Sequence, residues 1–125
     1  MKALSLKQPW AELILQGRKT LEIRKWNTRF RGEFLIHASK VSNQEAIKYF
    51  GFKNLPTGCI VGKAEITGVK EYSSKEEFDK DFGKHFAITY VWGGKLYGFV
   101  LKNVQRLEEK PLTGQLGFFE ADISL

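Results

Sequence analysis

At 125 residues, with 42% hydrophobic and 27% charged side chains, the chain is long enough to bury a core of its own as one domain over residues 1–125. This composition excludes a disordered tract, a collagen-like repeat and a coiled coil. A net charge of +6 and a pI near 9.5 put polyanions first among partners, nucleic acid ahead of an anionic membrane surface or a phosphorylated small molecule.

The lone Cys59 cannot form an internal disulfide, and no CxxC pair offers a cysteine zinc site. The start, MKALSLKQPWAELILQG, is interrupted by Lys7, Pro9 and Glu12 before any apolar run reaches signal-peptide length. No stretch approaches the roughly 20 apolar residues of a membrane span. The expectation is a cytoplasmic protein with no membrane partner.

In chain order, Ala3 to Leu6 alternates weakly and begins a strand. Pro9 suits a first helical turn, and Trp10, Leu13 and Ile14 recur at helical spacing until Gly17 offers a left-handed end. From Lys19 the period becomes two: Leu21 and Ile23 point one way, Thr20, Glu22 and Arg24 the other, toward water or a cleft. Arg31-Gly32 makes a turn into a buried strand, Phe34 to His37. Ser42 with Glu45 reads as a capping box opening a helix that ends at Gly51.

After the turn Leu55 to Gly58, Cys59 to Val69 is a strand whose Ile60, Gly62, Ala64, Ile66 and Gly68 share one face. Small residues there signal a tight bend or close backbone approach, as in a small barrel. A second capping box, Ser74 to Glu77, opens a helix with Phe78 and Phe82 inward, ending at Gly83. Trp92 to Lys95 is suited to a hairpin turn, Tyr97 to Leu107 is a long β-rich run, and Gly114 to Ile123 supplies the last strand. Strands bracketing three short helices predict an α+β fold with a closed or half-closed mixed sheet.

Charge is concentrated in one place. Between Arg18 and Arg31 lie six bases (Arg18, Lys19, Arg24, Lys25, Arg29, Arg31) and one acid, Glu22; the other 111 residues hold 14 bases and 13 acids. Trp26 and Phe30 interrupt this ribbon, and aromatics among phosphate-seeking cations are how single-stranded nucleic acid is held without sequence preference. A solvated strand and loop is the competing reading. Glu22 and Arg24, two apart on one face, have a structural ion pair as their competing reading, and Trp10, at the spacing of Leu13 and Ile14, reads as core more than as a stacking platform. His37, beside Phe34 to Ile36, reads as a hydrogen-bonded core histidine, and His85 has no companions at metal spacing. No metal and no cofactor is expected, and no GxSxG, HExxH or GxGxxG occurs.

Three segments resemble the ASCH (activating signal cointegrator homology) domain, a relative of the PUA domain: LSLKQPWAELILQGRKTLEIRKW followed by RGEFLIHAS, then GCIVGKAEITGV, then LYGFVLKNVQRLEEKPLTGQLGFF. The resemblance implies a small mixed PUA-like β-barrel with about three flanking short helices. It further implies RNA or single-stranded nucleic acid bound between the first helix and the barrel. A monomer is expected. The GxKxxExR-like element falls on Gly17, Lys19, Glu22 and Arg24, with Gln8-Pro9-Trp10 on the helix side and His37 on the next strand. Arg24 suits a bidentate phosphate contact, Lys19 a point-charge contact and Glu22 a base amino group. With Trp26, Arg29 and Arg31 these make the expected binding surface.

The resemblance carries two alternatives. Some ASCH-like proteins are amidohydrolases of acetylated cytidine that use a Lys, a Thr and a Glu; Lys19 and Glu65 match, whereas Glu22 stands at the Thr position and Thr20 lies nearby. Lys19, Glu22 and Glu65 would then be the catalytic set acting on a modified nucleoside. A protein-interaction adaptor in transcription or translation is the other.

Overall fold

The computed structural model describes residues 1–123. Six strands form one sheet: β1 (Lys2–Leu6), β2 (Leu21–Arg24), β3 (Gly32–Ala38), β4 (Cys59–Tyr72), β5 (Leu96–Pro111) and β6 (Phe118–Glu120), in the order β2-β5-β4-β3-β1-β6. Only β1 and β3 run parallel; the other pairs are antiparallel, so the sheet is mixed and the fold α+β. Four short helices flank it, α1 (Trp10–Leu15), α2 (Gln44–Phe50), α3 (Lys75–Lys80) and α4 (Phe82–His85). No helix among the described residues is long and apolar enough to cross a membrane.

Period-two alternation builds the main core. Leu4 and Leu6, Phe34 and Ile36, and Phe99 and Leu101 turn to one side and meet Ile14 of α1. A second cluster gathers Leu21 and Ile23 against Tyr72, Phe78 and Leu96, and a third covers the other face with Ala3, Leu35, Ile60 and Phe119. Burying each Leu, Ile or Phe contributes about 1.5–3 kcal/mol. Helix α1 is further fastened to β5, because Arg106 grips the Glu12 carboxylate with two parallel hydrogen bonds of 2.9 Å.

The sheet is not closed into a barrel. Strands β4 and β5 shift register repeatedly, between Ile60 and Gly62, Lys63 and Glu65, and Ile66 and Gly68, and such irregularities bend long strands. The curled sheet brings its two margins together without a ladder between them. Instead the Arg24 guanidinium of β2 donates to the Ser5 carbonyl of β1 at 2.9 Å, and the Trp26 ring meets Phe118 of β6 edge-on at 5.8 Å. Side chains bridge a seam that backbone hydrogen bonds leave open.

Other expectations need local correction. The expected face of Ile60, Gly62, Ala64 and Ile66 is broken by Val61, the extra residue where His37 pairs Ile60 and Ile36 pairs Gly62. Ile60 therefore joins the third cluster while Val61, Ala64 and Ile66 join the main core. Helix α2 is capped by Asn43, whose Oδ1 accepts from Ala46 N at 2.9 Å, rather than by Ser42, since the asparagine already has the extended backbone of a cap. The Ser74 cap holds, with Oγ accepting from Glu77 N at 3.2 Å. Gly83 does not end the third helix: the chain turns at Asp81 and adds α4, terminated by Phe86 at φ +52°. Trp92 to Lys95 makes no hairpin, because no strand precedes it, and the last strand shrinks to Phe118–Glu120.

Two β4 glycines differ in what a methyl group would meet. A Cβ at Gly62 would lie 2.4 Å from Leu15 Cδ2 and 2.7 Å from the Gln105 carbonyl oxygen, whereas one at Gly68 would touch nothing within 4 Å. Overpacking against backbone predicts that Gly62→Ala lowers unfolding stability by about 2–3 kcal/mol. Gly68→Ala should be neutral or slightly stabilising. Urea denaturation of the two variants checks this, and equal midpoints would contradict the close approach.

Candidate functional site

Along the open seam lies a cleft of about 1470 Å³. One wall is the run Lys19 to Lys25, contributed by β2 and its approach; the facing wall is Ser5 to Lys7, at the end of β1, with Trp10 beyond it. His37 to Val41, the loop Ala87 to Val91 and the segment Pro111 to Gly117 complete it. The charged groups around it are Lys7, Lys19, Arg24, Lys25 and Lys40 against the single carboxylate of Glu22.

Alternation along β2 turns Glu22 and Arg24 toward this space and Leu21 and Ile23 into the second cluster, Ile23 also bordering the cleft. Lys19 is 2% exposed, and its Nζ donates to the Leu21 and His85 carbonyls, both at 2.7 Å, and lies 3.3 Å from Glu22 Oε1. Those three acceptors match the three N–H groups of an ammonium. Burial lowers the lysine's pKa, opposed by the Glu22 carboxylate. Burial raises that of Glu22, but Arg24 and Lys19 together pull it below the ordinary carboxylate range. Arg24 divides its guanidinium between Glu22 Oε2, at 2.8 Å from Nε, and the Ser5 carbonyl. The triad is thus internally satisfied, and the ion pair between Glu22 and Arg24 is part of the seam.

The loop forming the third wall is held by side chains that reach backbone carbonyls. Trp10 Nε1 donates to Phe86 O at 2.7 Å, Tyr90 Oη to Ile23 O at 3.0 Å, and Lys19 to His85 O. His85 is 1% exposed: Nδ1 accepts from Ala87 N at 3.0 Å, which leaves Nε2 as the donor to Phe78 O at 2.8 Å, the ring stacked on Phe78 at 4.2 Å. His37, also 1% exposed, sits between Ser5 Oγ at 2.8 Å and the Leu112 carbonyl at 2.6 Å. It fixes the floor beneath the Pro111 to Gly117 segment.

Of the residues singled out by sequence, Trp10, Lys19, Glu22 and Arg24 line this cleft. Gln8 does not; it is fully buried, giving its Nε2–H to Pro56 O and accepting from Glu12 N. Trp26, 37% exposed, lies beyond Arg24, whose guanidinium is 6.0 Å from its ring centre. Arg29 and Arg31 are exposed outside the cleft, Arg31 bonded to the carbonyls of Thr28 and Phe30. Glu65 lies outside it too, accepting from Asn103 Nδ2 at 2.7 Å, so Lys19, Glu22 and Glu65 do not form one acid–base set. Among the described residues no three His, Cys, Asp or Glu side chains could hold a metal ion.

Sequence reasoning missed Lys7, Lys40, Tyr90 and the Pro111 to Gly117 segment. Lys7 and Lys40 are far apart in the chain, and the parallel pairing of β1 with β3 brings them to the same end of the sheet.

The model of the ASCH domain family matches residues 4–111. The chain is 30% identical over 135 residues to human activating signal cointegrator 1 and 28% over 134 residues to the mouse protein. Each match covers 95% of this chain but only 22% of the relative, so the chain spans under a quarter of their length. The crystal structure of ASCH from Zymomonas mobilis superposes with a TM-score of 0.66 at 17% identity, over 89% of this chain and 73% of that one, a likeness of fold.

Burial holds the His85 pKa below its ordinary value, with the nearby Lys19 charge acting the same way against its Phe78 hydrogen bond and the charges of Asp81 and Asp79. A histidine depressed on folding contributes stability above its unfolded value and loses it as pH falls through the folded one. Urea denaturation between about pH 7 and about pH 5 should show the chain losing stability on acidification. His85→Asn, less stable throughout, should show a shallower slope; parallel slopes would remove His85 as the anchor.

Proposed function

The chain belongs to the ASCH domain family, and from that premise we propose that it binds RNA or another single-stranded nucleic acid in the seam cleft. One observation carries the reading. Lys7, Lys25 and Lys40 all line the cleft, all are exposed, and none has an ion-pair partner among the described residues. Three unpaired ammonium groups around one hollow attract an anion with several charges at matching spacing.

The buried triad gives that hollow a second property. With Lys19 and Arg24 engaged, Glu22 stays ionised and presents a fixed acceptor, suited to a base amino group. Trp10 and Tyr90, each tethered by its own hydrogen bond, supply aromatic surface on two sides. Trp26, Arg29 and Arg31 continue the path beyond Arg24, where the strand emerges. Phosphates thus meet mobile lysines at the rim while bases meet rigid groups inside.

Neutralising about four phosphates predicts that affinity for a single strand falls with salt with a log–log slope of about −3. Lys7→Ala, Lys25→Ala and Lys40→Ala combined, all exposed and without structural bonds, should leave folding intact and reduce the slope to about −1. Fluorescence anisotropy of a labelled RNA at several salt concentrations measures both. A flat response in the parent, or an unchanged slope in the triple variant, would reject the cleft as the binding surface.

A further inference from the structure

Four aromatic rings belong to none of the three core clusters and stand in a row at the surface. Phe82 meets Phe86 at 5.6 Å between ring centres, Phe86 meets Phe50 at 5.7 Å, and Phe50 meets Tyr49 at 4.8 Å, each pair edge to face. Tyr49 is 65% exposed and the others are half-buried. The ring contact between Phe50 and Phe86 joins the end of α2 to the end of α4; it does not account for Tyr49 lying open beside them.

The row begins where the cleft ends. The Phe86 carbonyl accepts the Trp10 indole N–H, and Ala87, the next residue, lines the cleft. Its charge surroundings are one-sided. The Arg18 guanidinium lies 5.8 Å from the Phe86 ring centre, exposed Lys48 adjoins Tyr49, and exposed Lys84 adjoins α4's end with only a 3.9 Å approach to Asp81. Against these stands Glu45, one turn before Tyr49 on α2. Arg18 also donates to Gln16 Oε1 at 3.4 Å, an exposed contact that leaves most of the guanidinium open. Stacking faces beside exposed cations suit a polyanion with flat, apolar bases better than an uncharged peptide.

We propose that this row is a second nucleic-acid subsite, on which a strand leaving the cleft stacks its bases against Tyr49 and the edge of Phe50 and Phe86 while Arg18 and Lys48 meet its phosphates. The subsite rests on the cleft reading above, since the strand must first occupy the cleft. A chain of contacts runs to it from Trp26 and Arg24 through Glu22 and Lys19 to the His85 carbonyl, one residue before Phe86.

The test compares two unstructured labelled oligoribonucleotides, one of about 3 nucleotides that fills only the cleft and one of about 12 that reaches the row. The long strand should bind the parent more tightly than the short one. Tyr49→Ala should weaken the long strand about tenfold and the short one by less than about twofold. Tyr49→Trp should restore the long strand, and Tyr49→Leu, which keeps apolar area but no ring, should not. Arg18→Ala should weaken the long strand selectively as well.

Equal affinity of the parent for both lengths, or equal weakening of both by Tyr49→Ala, overturns the subsite and leaves the cleft standing. Parental binding by Tyr49→Leu means that ring stacking does not hold the strand and overturns it too. If the short strand does not bind and the triple lysine variant changes nothing, the cleft reading itself fails and the subsite falls with it.

Discussion

The ammonium of Lys19 is the interaction on which the rest of the molecule depends. Dry at 2% exposure, it ties the Leu21 carbonyl at the start of β2 to the His85 carbonyl at the end of α4, and Glu22 completes its shell. An ammonium taken out of water costs several kcal/mol unless its protons are all received, so the two backbone segments cannot separate without exposing that cost. The lysine therefore sets how far the Ala87 to Val91 wall stands from β2.

That commitment divides the cations into two kinds. Lys19 and Arg24 are held by carbonyls and by Glu22; their work is to keep one carboxylate ionised in a half-dry wall and to hold the seam. Lys7, Lys25 and Lys40 are exposed and have no ion-pair partner among the described residues, and under the proposed function the recruitment of an anion falls to them. A cleft with only the first kind would present nearly neutral walls. One with only the second would attract polyanions and hold them in no particular pose.

The sequence made the strand of alternating Leu21, Glu22, Ile23 and Arg24 legible because period two needs no tertiary knowledge. It made Gly17 and Gly51 legible as helix ends for the same local reason: both take positive φ, +76° and +78°. The concentration of charge from Arg18 to Arg31 was equally plain, but its meaning was not. Side-chain chemistry cannot tell that Lys19 turns inward while Lys25 stays in water, since that is decided by whether carbonyls from residues 21 and 85 converge on one nitrogen. The Val61 bulge was hidden by its apolar neighbours, which suit either face. Lys7 and Lys40 flank the cleft yet gave no hint of it, because each lies just past a strand where composition says only loop.

A closed barrel would have had no room for this site. Its ladder would pair β2 with the opposite margin and consume the space now lined by residues 19–25 and 5–7. What keeps the margins adjacent yet unpaired is a side chain of the right length: Arg24 reaches from Glu22, on its own strand, to the Ser5 carbonyl across the gap. Lysine could reach the same carbonyl but could not hold the carboxylate at the same time through a planar fork, so the gap width follows from guanidinium geometry. The edge groups that barrel closure normally satisfies are met by side chains here, and the cleft follows from that substitution.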